Sequence, residues 1–137
     1  MNFKSYIVLI LILFLSRDII AQKKTTTIHI LNADKADYDE RLGKDIQRLI
    51  GNVVMRQDST YFYSDSAYYN EKTKFFDGFG NVHIEVNDST DIYSDLLKYN
   101  GNTKFAELFH NVVLKDDSTT LRTEYMTYDR VGHLATY

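Results

Sequence analysis

The chain contains no cysteine and no proline among its 137 residues. Without cysteine it can form neither disulfides nor thiolate metal sites, and it has no cysteine nucleophile. Without proline, every residue can donate its backbone N–H to a β-ladder. The sequence has 11 tyrosines and 8 phenylalanines, and aromatic residues favour strands. This composition predicts a sheet protein that is stabilised by hydrogen-bonded strands and apolar burial.

The chain also lacks an excess of basic residues. It has 16 Lys and Arg against 19 Asp and Glu, which gives a formal net charge of −3. Proteins that bind nucleic acid usually present a basic stripe to the phosphate backbone. The charge balance therefore argues against a nucleic-acid partner, and net charge would not draw the chain to anionic lipid headgroups.

The N-terminus carries a hydrophobic run that is too short to cross a membrane. Residues 6–15 are apolar and follow a basic residue, and Ala21-Gln22 offers a cleavage point after a small side chain. A membrane-spanning helix needs about 20 apolar residues. We therefore expect residues 1–21 to be a signal peptide and residues 22–137 to form one exported β-repeat domain. An uncleaved N-terminal anchor is the alternative, because charged residues separate the run from the cleavage point.

A repeat of about 30 residues occupies most of the remaining chain. Its first feature recurs at Gly51-Asn52-Val53-Val54, Gly80-Asn81-Val82-His83 and His110-Asn111-Val112-Val113. Its second feature is a triplet, found at Asp58-Ser59-Thr60, Asp88-Ser89-Thr90 and Asp117-Ser118-Thr119. The third is an acidic residue four positions before a tyrosine, found at Asp34/Tyr38, Asp65/Tyr69, Asp95/Tyr99 and Glu124/Tyr128. This self-similarity predicts a stack of like β-units.

Alternating apolar and polar residues mark the strand after each Asn-Val pair. In residues 82–86 the three apolar side chains share one face of a period-2 backbone. The returning strand changes parity part-way, so we expect a bulge near Ser64-Asp65, Ser94-Asp95 and Thr123-Glu124. We interpret the continuous apolar face as the ligand-binding surface. Its members are Val53, Met55, Phe62, Val82, Ile84, Val86, Ile92, Leu97, Val112, Leu114, Leu121 and Met126.

Turn-forming residues separate the strands. The Asp-Ser-Thr triplets fit hairpin turns, because Asp and Ser side chains can bond nearby backbone N–H groups. Further turns are expected at Asn70-Glu71-Lys72, Asn100-Gly101-Asn102 and Asp129-Arg130-Val131-Gly132. The strands around 75–79 and 105–109 have mixed parity, and the sequence leaves their inner face unassigned.

No arrangement of residues points to a catalytic or metal centre. The four histidines stand apart, in strands or at strand ends. A calcium ladder would need several oxygen ligands and glycine-rich loops, whereas each repeat supplies one acidic residue. We expect these carboxylates to cap a bulge or turn through backbone N–H bonds. A motif repeated along a chain is poor support for a single catalytic centre, so we expect no enzyme activity, no metal and no cofactor.

The Gly-Asn-Val strand, the polar hairpin and the return with its acidic residue before tyrosine resemble the OstA-like family, in particular its Bacteroidota members. The resemblance covers about residues 28–137. It implies an all-β fold, an elongated antiparallel β-jellyroll that is V-shaped in section. It also implies a periplasmic lipopolysaccharide transport protein, in some roles associated with the outer membrane. The groove of such a protein would hold the acyl chains of lipid A, and head-to-tail joining with other β-jellyroll components would bridge the inner and outer membranes.

Two alternatives from other classes are consistent with the same repeat. A structural β-solenoid or adhesin would fill its interior with its own side chains. A carrier of a different lipid would use the same kind of apolar groove. The apolar-rich segment 133–137 ends within a repeat. We expect either that a longer protein continues the repeat or that this segment pairs with the edge of another β-domain, including a second copy of this chain.

Overall fold

Antiparallel β-strands make up most of residues 27–137, the part of the chain that the computed structural model describes. The expected signal peptide lies outside these residues. The strands are β1 (His29–Asn32), β2 (Lys35–Tyr38), β3 (Ile46–Gln57), β4 (Thr60–Asn70), β5 (Phe75–Asn87), β6 (Thr90–Asn100), β7 (Phe105–Lys115), β8 (Thr120–Asp129) and β9 (Leu134–Thr136). Within the described range no helix is long and apolar enough to span a membrane.

The strands form a meander in one sheet, in the order β1-β3-β4-β5-β6-β7-β8-β9. The short strand β1 pairs with the second part of β3, and β2 pairs with its first part. Each repeat of the sequence thus corresponds to two long neighbouring strands and the turns that join them. The sheet is open and antiparallel, and the expected elongated β-jellyroll is confirmed.

Each long strand bends near its middle, where the pairing register shifts. The shifts lie between Ile50 and Val53, Tyr63 and Ser66, Phe79 and Val82, Tyr93 and Leu96, and Phe109 and Val112. At three bends two consecutive residues have positive φ, namely Gly51 and Asn52, Gly80 and Asn81, and His110 and Asn111. Glycine and asparagine adopt this backbone region more readily than other residues. The bends coincide with the positions at which the apolar pattern changes parity.

The bends divide the sheet into two halves that face each other. The hairpin half contains the strand segments next to the tight turns at 58–59, 88–89 and 116–119. The loop half contains the segments next to the longer turns at 71–74, 101–104 and 130–133. Phe62 of the hairpin half packs against Phe76 and Tyr99 of the loop half, with ring centroids 5.2 and 4.6 Å apart. The core therefore lies between the inner faces of the two halves.

The structure assigns the inner face that the sequence left open. In β5 Phe76 is buried and Phe75 is exposed, and in β7 Ala106 and Leu108 are buried while Phe105 is exposed. The turns that flank these strands are built alike. The side-chain oxygens of Asn70, Asn100 and Asp129 each accept hydrogen bonds from backbone N–H groups two and three residues later. The expected turns at these positions are confirmed. The length of each turn decides which residue of the following strand is the first to point inward.

Candidate functional site

The apolar interior is the candidate site, and all twelve residues proposed from the sequence border it. Ten of them are buried in one hydrophobic cluster, and Leu114 and Leu121 are partly buried against that cluster. Of the loop half, sequence reasoning found only Leu97 and Met126, and further inward residues of that half complete the cluster. These are Leu49, Ala67, Tyr69, Phe76, Tyr99, Ala106, Leu108 and Tyr128. Three of them are the tyrosines of the repeat motif, so the motif itself was a signal for an inward position.

The protein's own side chains fill the interior in the structure. The largest fully buried side chains include Tyr99, Leu49 and Met55, and they come from both halves of the sheet. An apolar ligand can occupy this space only if the two halves move apart. Leu114 and Leu121, which lie opposite each other on β7 and β8 in the hairpin half, are only partly buried.

A polar cluster joins the two halves on the other side of the interior. The side chain of Gln57, which is 0% exposed, donates from Nε2 to the carbonyl oxygen of Gly101 at 2.8 Å. Its Oε1 accepts from the Tyr99 hydroxyl at 2.6 Å and from Nη1 of Arg130 at 3.0 Å. The same Nη1 donates to the Tyr99 hydroxyl oxygen at 2.5 Å. A residue at the tip of the hairpin half is thus bonded to three residues of the loop half.

Charged groups extend this cluster to the surface. Asp58 forms an ion pair with Lys104, with a distance of 2.8 Å between Oδ2 and Nζ, and it lies 3.6 Å from Nη2 of Arg130. The guanidinium of Arg130 also lies 5.8 Å from the ring centre of Phe62 and 6.0 Å from that of Tyr99. Burial raises the pKa of Tyr99 to about 12, although the nearby guanidinium acts in the opposite direction.

The repeated acidic residues and asparagines meet at the bends. The carboxylates of Asp34, Asp65 and Asp95 accept hydrogen bonds from the side-chain amides of Asn52, Asn81 and Asn111, at 2.9, 2.9 and 2.7 Å respectively. We expected backbone N–H donors for these carboxylates, and the structure shows that the asparagine of the neighbouring repeat strand supplies the donor. The pairs hold adjacent strands together where the main-chain register is broken. This structural role accounts for the regularity of both residues.

The bends also need glycine where the carboxylate comes close. A Cβ on Gly80 would lie 2.5 Å from Oδ2 of Asp65, and a Cβ on Gly51 would lie 2.4 Å from Oδ2 of Asp34. Both glycines also have positive φ, a region that costs other residues energy. These contacts explain why glycine precedes asparagine at the first two bends.

The comparisons with known proteins agree with this geometry. A family model of OstA-like proteins matches residues 25–137. The chain belongs to the OstA-like protein family. Among solved structures, the fold is similar to that of LptH from Pseudomonas aeruginosa, described as the LptA-homologous periplasmic component of the lipopolysaccharide transport device. The TM-score is 0.68 at 17% sequence identity, and the match covers 80% of each chain. No curated protein matches the sequence.

On the outer surface of this OstA-like chain, one histidine lies between two tyrosine rings. His83 stacks between Tyr63 and Tyr93, with ring centroids 5.2 and 4.5 Å away, and its Nε2 lies 2.7 Å from Oδ1 of Asp91. No group of three or more histidine or acidic side chains placed to hold a metal ion occurs within residues 27–137.

Gly80→Ala is expected to lower the free energy of unfolding by about 2 kcal/mol. The new methyl group meets the Asp65 carboxylate, and the alanine backbone has to keep the positive φ of Gly80. His110→Ala is the matched control, since His110 stands at the equivalent position with φ 65° and already carries a Cβ. It should change stability by less than about 0.5 kcal/mol. Urea unfolding of both variants checks this, and equal losses would contradict the explanation.

Proposed function

We propose that this protein binds lipopolysaccharide in the periplasm and shields the acyl chains of lipid A between the two halves of its sheet. The observation that carries the proposal is the interior itself. It is apolar and in register from repeat to repeat. Membership of the OstA-like family and the fold shared with a periplasmic transport component support the same role. In this role the protein acts as a carrier, not as an enzyme.

Burial of the acyl chains can by itself supply the binding free energy, so the groove needs no specific polar contacts. Burying one methylene group is worth roughly 0.8 kcal/mol, so an acyl chain of about a dozen carbons gains on the order of 10 kcal/mol before ordering costs. Part of this gain offsets the loss of contacts between the two halves. We propose that acyl chains first contact Leu114 and Leu121, because these residues border the interior and are only partly buried.

A photocrosslinker placed at Leu121 is expected to capture lipopolysaccharide, since its side chain borders the interior. The same crosslinker at Arg122 is the matched control, because the next residue on β8 points to the other face and is exposed. Mass spectrometry of the adducts identifies the lipid. Equal capture at the two positions would show that the inner face is not the binding surface, and capture of a different lipid would identify a carrier of that lipid.

The filled interior favours one alternative, a purely structural β-repeat protein. Such a protein would keep its halves together and would bind no lipid. Extraction of lipid from the purified full chain separates the two functions. A chain that carries no lipid after purification and captures none from lipopolysaccharide micelles would be structural.

We also propose that the protein joins head to tail with other β-jellyroll units and so contributes to a bridge between the inner and outer membranes. Within the described residues β9 pairs with β8 alone, which leaves one side of β9 free for strand pairing. Its Leu134 is exposed. At the opposite end of the sheet β1 and β2 pair, among residues 27–137, with β3 alone, and we propose that they offer the complementary edge.

Leu134→Lys is expected to reduce self-association, because a charge at the free edge disfavours strand pairing. Light scattering over a dilution series should show a ladder of species for the unmodified chain, since head-to-tail contacts need not close. Val131→Lys is the control, because Val131 is also exposed but lies in the turn before β9. A monomer at all concentrations, unchanged by Leu134→Lys, would contradict the proposed joining.

A further inference from the structure

Apolar packing closes the interior along its length, but the polar contacts between the two halves converge on one turn. We propose that the Gln57–Asp58 turn is a latch between the two halves, and that an anionic lipid headgroup, of the phosphate class, opens it by replacing Asp58 as the counter-ion of Lys104 and Arg130. This inference rests on the proposed lipid-binding function and deepens it. It names the residues that couple the charge of the headgroup to the opening of the groove.

The latch joins segments that are far apart in the chain. Gln57 and Arg130 are 73 residues apart, and two hydrogen bonds connect them, one to Oε1 of Gln57 at 3.0 Å and one to its carbonyl oxygen at 3.2 Å. Tyr99 and Gly101 complete the set from the same loop half. When the halves separate, all these bonds break together. Opening the interior therefore requires breaking the bonds at this turn as well as separating the packed apolar side chains.

Arg130 is buried without a close anionic partner, so an added anion would stabilise its charge. Its side chain is only 8% exposed, and its nearest carboxylate, that of Asp58, lies at 3.6 Å. Its Nε is buried and has no hydrogen-bond partner among the residues that the structure describes. A buried guanidinium is stabilised best by a bidentate carboxylate or phosphate. In the closed latch, the Nε of Arg130 donates no hydrogen bond to a described residue, and its guanidinium has no bidentate anion.

The charges at the latch are unbalanced. Two cations, Lys104 and Arg130, share the single carboxylate of Asp58. Opening moves Asp58 away with the hairpin half, while the two cations stay together on the loop half, where the backbone N–H of Arg130 donates to the carbonyl oxygen of Lys104 at 3.1 Å. A phosphate group can compensate both cations at once, whereas an uncharged headgroup leaves them without a counter-ion. The latch therefore selects lipids with an anionic headgroup.

Asp58 differs in this respect from its counterpart in the next repeat. Asp88 occupies the same position in an Asp-Ser-Thr hairpin, but no ion pair to it occurs within residues 27–137. Lys98 offers a second comparison, because it is exposed on the outer face above the ring of Phe109. Changes at Asp88 and Lys98 alter the net charge by the same amount without touching the latch.

The first test compares binding of two probes, micelles of phosphorylated lipid A and micelles of the same lipid A after removal of its phosphates. The unmodified full chain should prefer the phosphorylated lipid by about tenfold in Kd, and Lys104→Gln should reduce this preference to about twofold. Lys98→Gln should leave it unchanged. Asp58→Asn should strengthen binding of the dephosphorylated lipid, because the closed state loses its counter-ion, and Asp88→Asn should not. Equal effects of the latch variants and their controls would overturn the proposal.

The second test closes the latch covalently, which is practical because the chain has no native cysteine. The variant Asp58→Cys, Lys104→Cys is joined by a cleavable bis-maleimide that contains a disulfide. The joined protein should take up neither lipid, and reductive cleavage should restore uptake. If the joined protein binds lipid A as well as the cleaved one, the turn is not a latch although the lipid-binding function stands. If the unmodified chain binds neither lipid, both the function and the latch are wrong.

Discussion

Replacing Ile84 by alanine is expected to lower the free energy of unfolding by about 3 kcal/mol, within the usual range for such a change in a close-packed core. Ile84 is 1% exposed and lies in the middle of the interior. It pairs in register with Phe62 on β4 and with Ile92 on β6, so its side chain belongs to a row of inward residues across three strands. Removing three carbon atoms there leaves a cavity that these neighbours only partly fill.

The control for this variant is Glu85→Ala, one residue further along β5. Glu85 points outward, where its Oε2 accepts a hydrogen bond from the Tyr63 hydroxyl at 3.3 Å. Its loss should change stability by less than about 0.5 kcal/mol. Urea denaturation of the two variants gives the comparison. A loss at Glu85 as large as that at Ile84 would mean that the interior contributes no more to stability than the surface does.

The second large effect is expected at alkaline pH, through Tyr99. Its pKa is raised from 10.0 to about 12 on folding, chiefly by burial, so the ionised form is disfavoured in the folded state by roughly 3 kcal/mol relative to the unfolded chain. Because the folded pKa lies above the unfolded one, stability is fully retained below about pH 10 and falls by about this amount as the pH rises from 10 to about 12. Ionisation would also remove the proton that Tyr99 donates to Gln57. We therefore expect the melting temperature to fall across this interval.

Tyr99→Phe is expected to flatten that pH dependence, since phenylalanine cannot ionise. Some dependence should remain, because burial also raises the pKa of Tyr69 and Tyr128. Tyr38→Phe provides the control, as the side chain of Tyr38 is exposed on β2. The measurement is the melting temperature of the unmodified chain and of both variants from pH 9 to pH 12. An unaltered slope in Tyr99→Phe would show that Tyr99 does not govern alkaline unfolding.

Local features of this protein were predictable from the sequence because they depend on neighbouring residues. Period-2 alternation in residues 82–86 predicted their inward face, and the Asp-Ser-Thr triplets predicted hairpin turns, as found at 58–59 and 88–89. The parity change after Phe62 predicted a bend, which the register shift between Tyr63 and Ser66 confirms. The repeat made these predictions stronger, since each copy tested the others.

The tertiary structure alone decided how the strands and halves meet. Whether Phe75 or Phe76 points inward depends on where the strand restarts after a turn, and local alternation does not contain that information. The partner of Asp65 is Asn81, on another strand, and the pairing appears only once the strands are in register. The contact between Gln57 and Arg130 depends on how far the two halves fold toward each other. That closure results from packing across the whole interior, which no single repeat specifies.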